Sequence, residues 1–259
     1  MSSAPAYRRY VAIGDSSTEG LDDPDGRGGY RGWADRLAAK VAEAHPGLLY
    51  ANFGVRGRTT AEILATQLEP ALALTPDVMT LFSGTNDVIA RRFDAGETAA
   101  AIATLQRAIR ARGVTLLTFT LPDLGPVLPA ARHLAPRIEL LNDAVRTISR
   151  ETGTIVVDMA RLPVAVDPRL WSEDRIHANA AGHARIAAAL AEALGLPGSD
   201  RSWSAPLPSA PASTRLVRFR ADARWTLRHL LPWWLRKLSG RSISDGIEAK
   251  RPQLLPVGP

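Results

Sequence analysis

Ser16 follows a short apolar run in "YVAIGDSSTEG" (residues 10–20), where Tyr10 to Ile13 pass directly into glycine, acid and two serines. Turns at strand ends favour Gly, Asp and Ser with no chemistry involved. The cluster becomes chemical only if other residues can activate a serine. A serine hydroxyl is a weak nucleophile until a neighbouring base takes its proton. That base is most often histidine, and a third group must hold its ring in the right tautomer. Histidine occurs at 45, 133, 177, 183 and 229. In "DRIH", Asp174 precedes His177 by three residues, so one turn of chain can deliver base and orienter together. Taken alone, that spacing is common on protein surfaces.

Acyl transfer also needs donors aimed at the oxygen where charge develops. Gly57, in "GVRGRTT", stands just before a helix start, where free N–H groups point outward. Asn86, in "GTNDV", carries a side-chain amide. Each has a plainer reading, a turn for Gly57 and a helix cap for Asn86. Other chemistries find no support. The chain has no cysteine, which excludes disulfides, thiolate metal sites and cysteine nucleophiles. There is no G-x-x-x-x-G-K-[ST] phosphate loop, no G-x-S-x-G elbow and no zinc-like histidine pair beside acids. Asp22, Asp23 and Asp25 lack the closing Glu of a calcium loop and read as a solvated turn.

What would bring these residues together is the order of elements. Apolar runs at 8–13, 48–53, 77–82, 114–120 and 154–158 read as strands, and helical patterns fall near 31–44, 59–74, 95–112, 136–152 and 179–194. Such alternation implies a parallel sheet covered on both faces by right-handed crossovers. Ligand sites in these sheets lie at the carboxyl ends of the strands. GDSS, NFGVRGRTT, SGTNDV and LPDLGP each follow a strand, and DRIHANAAGH comes shortly after the fifth.

With these blocks in this order, the sequence resembles the SGNH (GDSL-type) hydrolase family of esterases and lipases. The blocks are "GDSSTEG" (14–20), "NFGVRGRTT" (52–60), "GTND" (84–87) and "DRIHANAAGH" (174–183), within roughly residues 8–195. The resemblance implies a three-layer α/β/α, flavodoxin-like fold with a five-stranded parallel sheet. It implies Ser16 as nucleophile, with Ser17 a bystander, His177 as base and then acid, and Asp174 as its orienter. Oxyanion donors would be the amides of Ser16 and Gly57 and the side chain of Asn86, with Gly54 the alternative glycine. Family members often carry Gly-x-His-Pro in the last block, and here Arg175, Ile176, His177 and Ala178 replace it, which removes no chemical group. Neither metal nor organic cofactor is expected.

The expected activity is hydrolysis of a carboxylic ester through an acyl-enzyme, as a carboxylesterase or lysophospholipase. The alternatives are a deacetylase of acetylated sugars or small metabolites and, from another class, an idle binding module. Candidate substrate contacts are Asp15, Tyr30 and Trp33 near the nucleophile. Leu128 and Leu134 join them from "LPDLGPVLPAARHLAPR", read as an acyl-chain wall.

Three domains of composition emerge: a hydrolase domain at 1–197, a Pro/Ser/Ala-rich linker or strap at 198–214, and a basic, Trp-rich extension at 215–259. Residues 201–259 hold 11 Arg or Lys against three acids, so the net charge of +6 belongs to the tail. Leu227, Leu230, Leu231, Trp234, Leu235 and Leu238 share one helical face there, flanked by Arg224, Arg228, Arg236 and Lys237. The segment reads either as a brace on the domain or, over 215–240, as a peripheral membrane contact. No nucleic-acid signature accompanies the charge. Without cysteine, a signal-peptide core or a long apolar run, the expected location is cytoplasmic or at the membrane's inner face.

Overall fold

The computed structural model describes residues 6–209, 222, 224, 225, 228 and 246–258. Five strands, β1 (Arg9–Gly14), β2 (Leu49–Asn52), β3 (Val78–Phe82), β4 (Thr115–Phe119) and β5 (Ile155–Val157), form a parallel sheet at the positions the apolar runs predict. The helices are α1 (Ser16–Glu19), α2 (Gly32–Ala44), α3 (Thr60–Ala73), α4 (Thr85–Ile89), α5 (Ala95–Arg110), α6 (Ala135–Thr152) and α7 (Ala180–Ala193).

The sheet has six strands, not the five expected. A sixth, β6 (Arg251–Pro256), pairs antiparallel with β2 and completes the order β5-β4-β3-β1-β2-β6. It carries two prolines, which an edge strand tolerates because one side of it needs no ladder donors. β6 thus takes over the edge from β2, and its prolines leave fewer free N–H groups there. Lys250, just before β6, bonds the Asp35 carboxylate at 2.8 Å, and the carbonyls of Tyr30 and Arg31 take its other protons at 2.8 Å each. The far end of the extension is therefore part of the sheet of the main domain.

Side-chain alternation along the strands builds the two cores. On β1, Tyr10 and Ala12 face the layer of α2, α6 and α7, with Trp33, Leu141 and Leu190. Val11 and Ile13 face α3 and α5, with Ile63, Leu72 and Ile109. A capping box starts α3: Glu62 N–H donates to the Thr59 hydroxyl at 3.4 Å, and Thr59 N–H donates to the Glu62 carboxylate at 2.8 Å. Such a cap is worth about 1 kcal/mol. It fixes where the loop after β2 must end.

Chain order reverses between β1 and β3, so their carboxyl ends bound a crevice. Ser16 follows β1 and Asn86 follows β3, so both open onto it. Within 198–209, Asp200 caps a 3-10 turn, Arg201–Ser204, which buries Trp203 against α7. There the Trp203 indole N–H donates to Glu192 at 2.6 Å. The apolar face expected at Leu227, Leu230, Leu231, Trp234, Leu235 and Leu238 lies outside the described residues. No helix among the described residues is long and apolar enough to cross a membrane.

Candidate active site

The turn after β1 is made by packing that only glycine permits. A Cβ on Gly14 would lie 2.2 Å from the Thr18 hydroxyl and 2.4 Å from the Phe82 carbonyl oxygen. Gln67 of α3, buried, clasps the same residue from the other side. It accepts from Gly14 N–H at 2.8 Å and donates to the Gly14 carbonyl at 2.9 Å. Asp15 then caps α1, accepting from Ser17 N–H at 3.0 Å. Ser17 Oγ accepts from the Trp33 indole N–H at 3.1 Å. Ser16, the first residue of α1, is left facing the crevice.

His177 arrives there from the loop before α7. Its Nε2 lies 2.7 Å from Ser16 Oγ, and its Nδ1 lies 2.5 Å from Asp174 Oδ2. An ionised carboxylate can only accept, so Nδ1 carries the proton and Nε2 receives the hydroxyl. Asp174 Oδ1 is held by Ile176 N–H at 2.9 Å, His177 N–H at 3.0 Å and the Ser172 hydroxyl at 2.5 Å. Burial pushes the Asp174 pKa up, but the His177 bond and charge, with the backbone and Ser172 donors, hold it well below the usual carboxylate range. Burial pulls His177 down, and Asp174, then Asp22 and Asp15, more than reverse that, leaving it above an ordinary histidine. Asp22 Oδ2 stands 3.8 Å from His177 Nδ1. Asp22, Asp174 and His177 form a group that could chelate a cation, but the nitrogen it would use is already bonded to Asp174.

Two segments carry Gly57 and Asn86, the residues expected from sequence to donate to an oxyanion. In the loop after β2, the amide of Gly54 goes to the Asn52 side chain at 2.8 Å, that of Val55 to Gly14 O at 3.2 Å and that of Arg56 to Glu19 at 2.8 Å. A Cβ on Gly54 would strike Glu19 N at 2.4 Å, so this glycine serves packing. Asn86, on α4, donates to Arg58 O at 2.9 Å and lies 3.5 Å from Asp15 Oδ2, the outer limit of a hydrogen bond. Asp87 accepts from Thr60 N–H and hydroxyl at 3.0 Å each, tying α4 to the start of α3.

A model of the GDSL-like lipase/acylhydrolase family matches residues 12–185. The chain belongs to that family. The matched span contains Ser16, Gly57, Asn86, Asp174 and His177 and stops before Trp203, the 222–228 residues and β6. No curated protein is similar enough to match. Among solved structures, an α/β hydrolase enzyme from the metagenome of Lake Arreo, Spain, is 24% identical, with a TM-score of 0.63 over 75% of this chain and 98% of its own. An acetylxylan esterase from Geobacillus stearothermophilus is 19% identical (TM-score 0.63, 79% and 99%). The lipase/acylhydrolase from Enterococcus faecalis is 22% identical (TM-score 0.60, 75% and 100%). At these identities the likeness is one of fold.

Beside Ser16 and His177, this GDSL-family chain has a mostly apolar cavity. Its walls include Phe82 and Phe119 from the strand ends, Leu121 and Pro122 after β4, Val164, Ala165 and Leu170 after β5, and Ile186 and Trp203 near α7. The substrate contacts expected from sequence fall mostly elsewhere. Leu128 and Leu134 pack into the core away from the cavity wall, and the leucine that reaches the cavity from their loop is Leu121. Trp33 is fully buried and serves Ser17. Tyr30 sits outside the cavity wall, under the Arg56 guanidinium at 5.4 Å. Asp15 borders the cavity but is fully buried, and burial raises its pKa to about 7 against the Ser17 bond and the His177 charge.

His183 and Gln67 brace the segments around Ser16, and the sequence alone assigned them no role. The His183 ring accepts from Trp33 N–H at 3.1 Å and donates to Leu21 O at 2.9 Å. Burial lowers its pKa to about 4, so it is a neutral strut. Its only sequence signal is membership of the last block. Gln67 has none, since one glutamine on a helix looks like a surface residue.

Proposed function

We propose that this chain is a serine esterase that cleaves carboxylic esters with apolar acyl groups, as a carboxylesterase or lysophospholipase does. The observation that carries the reading is the hydrogen-bonded series Ser16–His177–Asp174, at 2.7 and 2.5 Å, beside an apolar cavity. His177 Nε2 takes the proton as Ser16 Oγ attacks the ester carbonyl. The oxyanion forms near the Ser16 amide, the Gly57 amide and Asn86 Nδ2. Among the described residues the Gly57 N–H has no hydrogen-bond partner, and the Asn86 contact to Asp15 is long enough to yield to a stronger acceptor. The Nε2 proton passes to the alcohol, which leaves, and the acyl group stays on Ser16. Water, deprotonated by the same nitrogen, then releases the carboxylic acid.

Asp174 supports this cycle in its ionised form, because it stabilises the imidazolium that appears twice per turnover. A deacetylase reading draws on the acetylxylan esterase fold, but an acetyl group would leave the Leu170, Ile186 and Trp203 walls unfilled. A p-nitrophenyl ester series from acetate to palmitate tests the reading. Highest kcat/KM at a medium or longer acyl chain is expected, and a profile that peaks at acetate would favour the deacetylase.

A further inference from the structure

Three residues of the C-terminal extension, each three positions from the next, meet three consecutive residues of the loop that carries the acid of the triad. Asp222 pairs with Arg175 at 2.7 Å. The Trp225 indole N–H donates to the main-chain oxygen of Asp174 at 2.9 Å, and its ring lies under the Arg175 guanidinium at 5.5 Å. Arg228 pairs with Glu173 at 3.3 Å. Residues 222 and 225 are helical, and a spacing of three puts such residues on one face. The run 222, 225, 228 therefore reads against 175, 174, 173 in reverse order.

The contacts differ in weight. Arg228 and Glu173 are both well exposed, and such a pair contributes little. Trp225, by contrast, is 9% exposed and joins the main core. Arg175 needs an anchor, since its backbone is left-handed at φ 63, uncommon for a non-glycine residue. Asp222 and Trp225 hold its side chain from two directions.

We propose that Trp225, with Asp222, is a positioning element for catalysis. It fixes the 173–175 loop so that Asp174 meets His177 Nδ1, and it touches neither substrate nor the reacting atoms. This rests on the esterase reading and adds to it a role for a segment beyond the family match, at 12–185. Loosening the loop lengthens the Asp174–His177 bond, so His177 is less well oriented and loses the partner that raises its pKa. Asp22 and Asp15, the other charges facing the ring, stay in place.

The test uses the full chain carrying Trp225→Phe, which keeps the ring and removes the N–H. The kcat for p-nitrophenyl butyrate should fall about tenfold with KM within about twofold, as misplacement rather than lost binding does. The acid limb of the pH profile should move to lower pH, and the downfield imidazole N–H resonance of His177 should weaken. Arg175→Asn is the second variant, because asparagine tolerates left-handed backbone and removes both side-chain anchors. It should act in the same direction. Unchanged kcat, acid limb and resonance in the two variants would overturn the proposal, as would a rise in KM alone, which marks a substrate contact. If Trp225→Phe does not fold, Arg175→Asn decides by the same criteria. The resonance needs no substrate, so failure of the esterase reading leaves the positioning claim separately measurable.

Discussion

Asn86 donates its side-chain amide to the main-chain oxygen of Arg58 at 2.9 Å, binding the loop after β3 to the loop after β2. One side chain thus holds together the two segments that carry Gly57 and Asn86, the proposed oxyanion donors. Asp87, the next residue, repeats the tie through Thr60. The site is assembled by contacts between loops whose strands are neighbours of β1 on opposite sides.

Asn86→Ala should lower kcat by about 10²–10³, the usual cost of one oxyanion donor, with KM nearly unchanged. Asn86→Asp should be as poor, because a carboxylate has no proton to give and repels the developing charge. Steady-state kinetics on a single ester separate this from a binding role, which would raise KM instead.

The pH profile has a defined sign. Catalysis needs neutral His177, whose pKa is raised above the ordinary value of 6.5, so the acid limb of kcat/KM should fall above pH 6.5. Asp174→Asn removes the largest raising influence, so the limb should drop to lower pH while kcat falls by up to about 10⁴. Asp15→Asn removes a smaller one and should move the limb down by less. An acid limb unmoved in Asp174→Asn would contradict the assigned pairing.

Gln67→Leu should destabilise the fold by about 2 kcal/mol, since it removes the acceptor of the buried Gly14 N–H and leaves the Gly14 carbonyl with only the longer Val55 N–H bond at 3.2 Å. Urea unfolding measures this. Because Gly14 leads directly into Ser16, activity at a temperature where the variant is folded should fall as well.

Ala165→Phe, placed in the cavity wall, should depress rates on long acyl esters by about tenfold and leave acetate within about twofold. Leu128→Ser should instead leave chain-length preference alone and cost about 3 kcal/mol, as loss of a buried leucine does. A selectivity change in Leu128→Ser would restore the acyl-wall role that its place away from the cavity argues against.

The alternation of strands and helices was legible because each element's period is written locally, and the four blocks were legible because they sit at strand ends. What the sequence hid depends on long-range pairing. In "RPQLLP", β6 carries no alternating pattern and two prolines, and becomes a strand only because β2 offers an open edge. Leu121 and Leu128 are alike in type and seven residues apart. Only the path of the loop decides that one lines the cavity and the other fills the core. Trp225 lies in a segment whose apolar face suggested a brace or a lipid contact, and nothing near it in sequence names Asp174 as its acceptor.

The most direct test of the account is hydrolysis of p-nitrophenyl butyrate by wild type and Ser16→Ala side by side. The account predicts Ser16-dependent turnover, with an acyl group trapped on Ser16 and visible by mass spectrometry when deacylation is slowed at low pH. Equal rates in the two proteins, or an acyl group found on Ser17 instead, would contradict it.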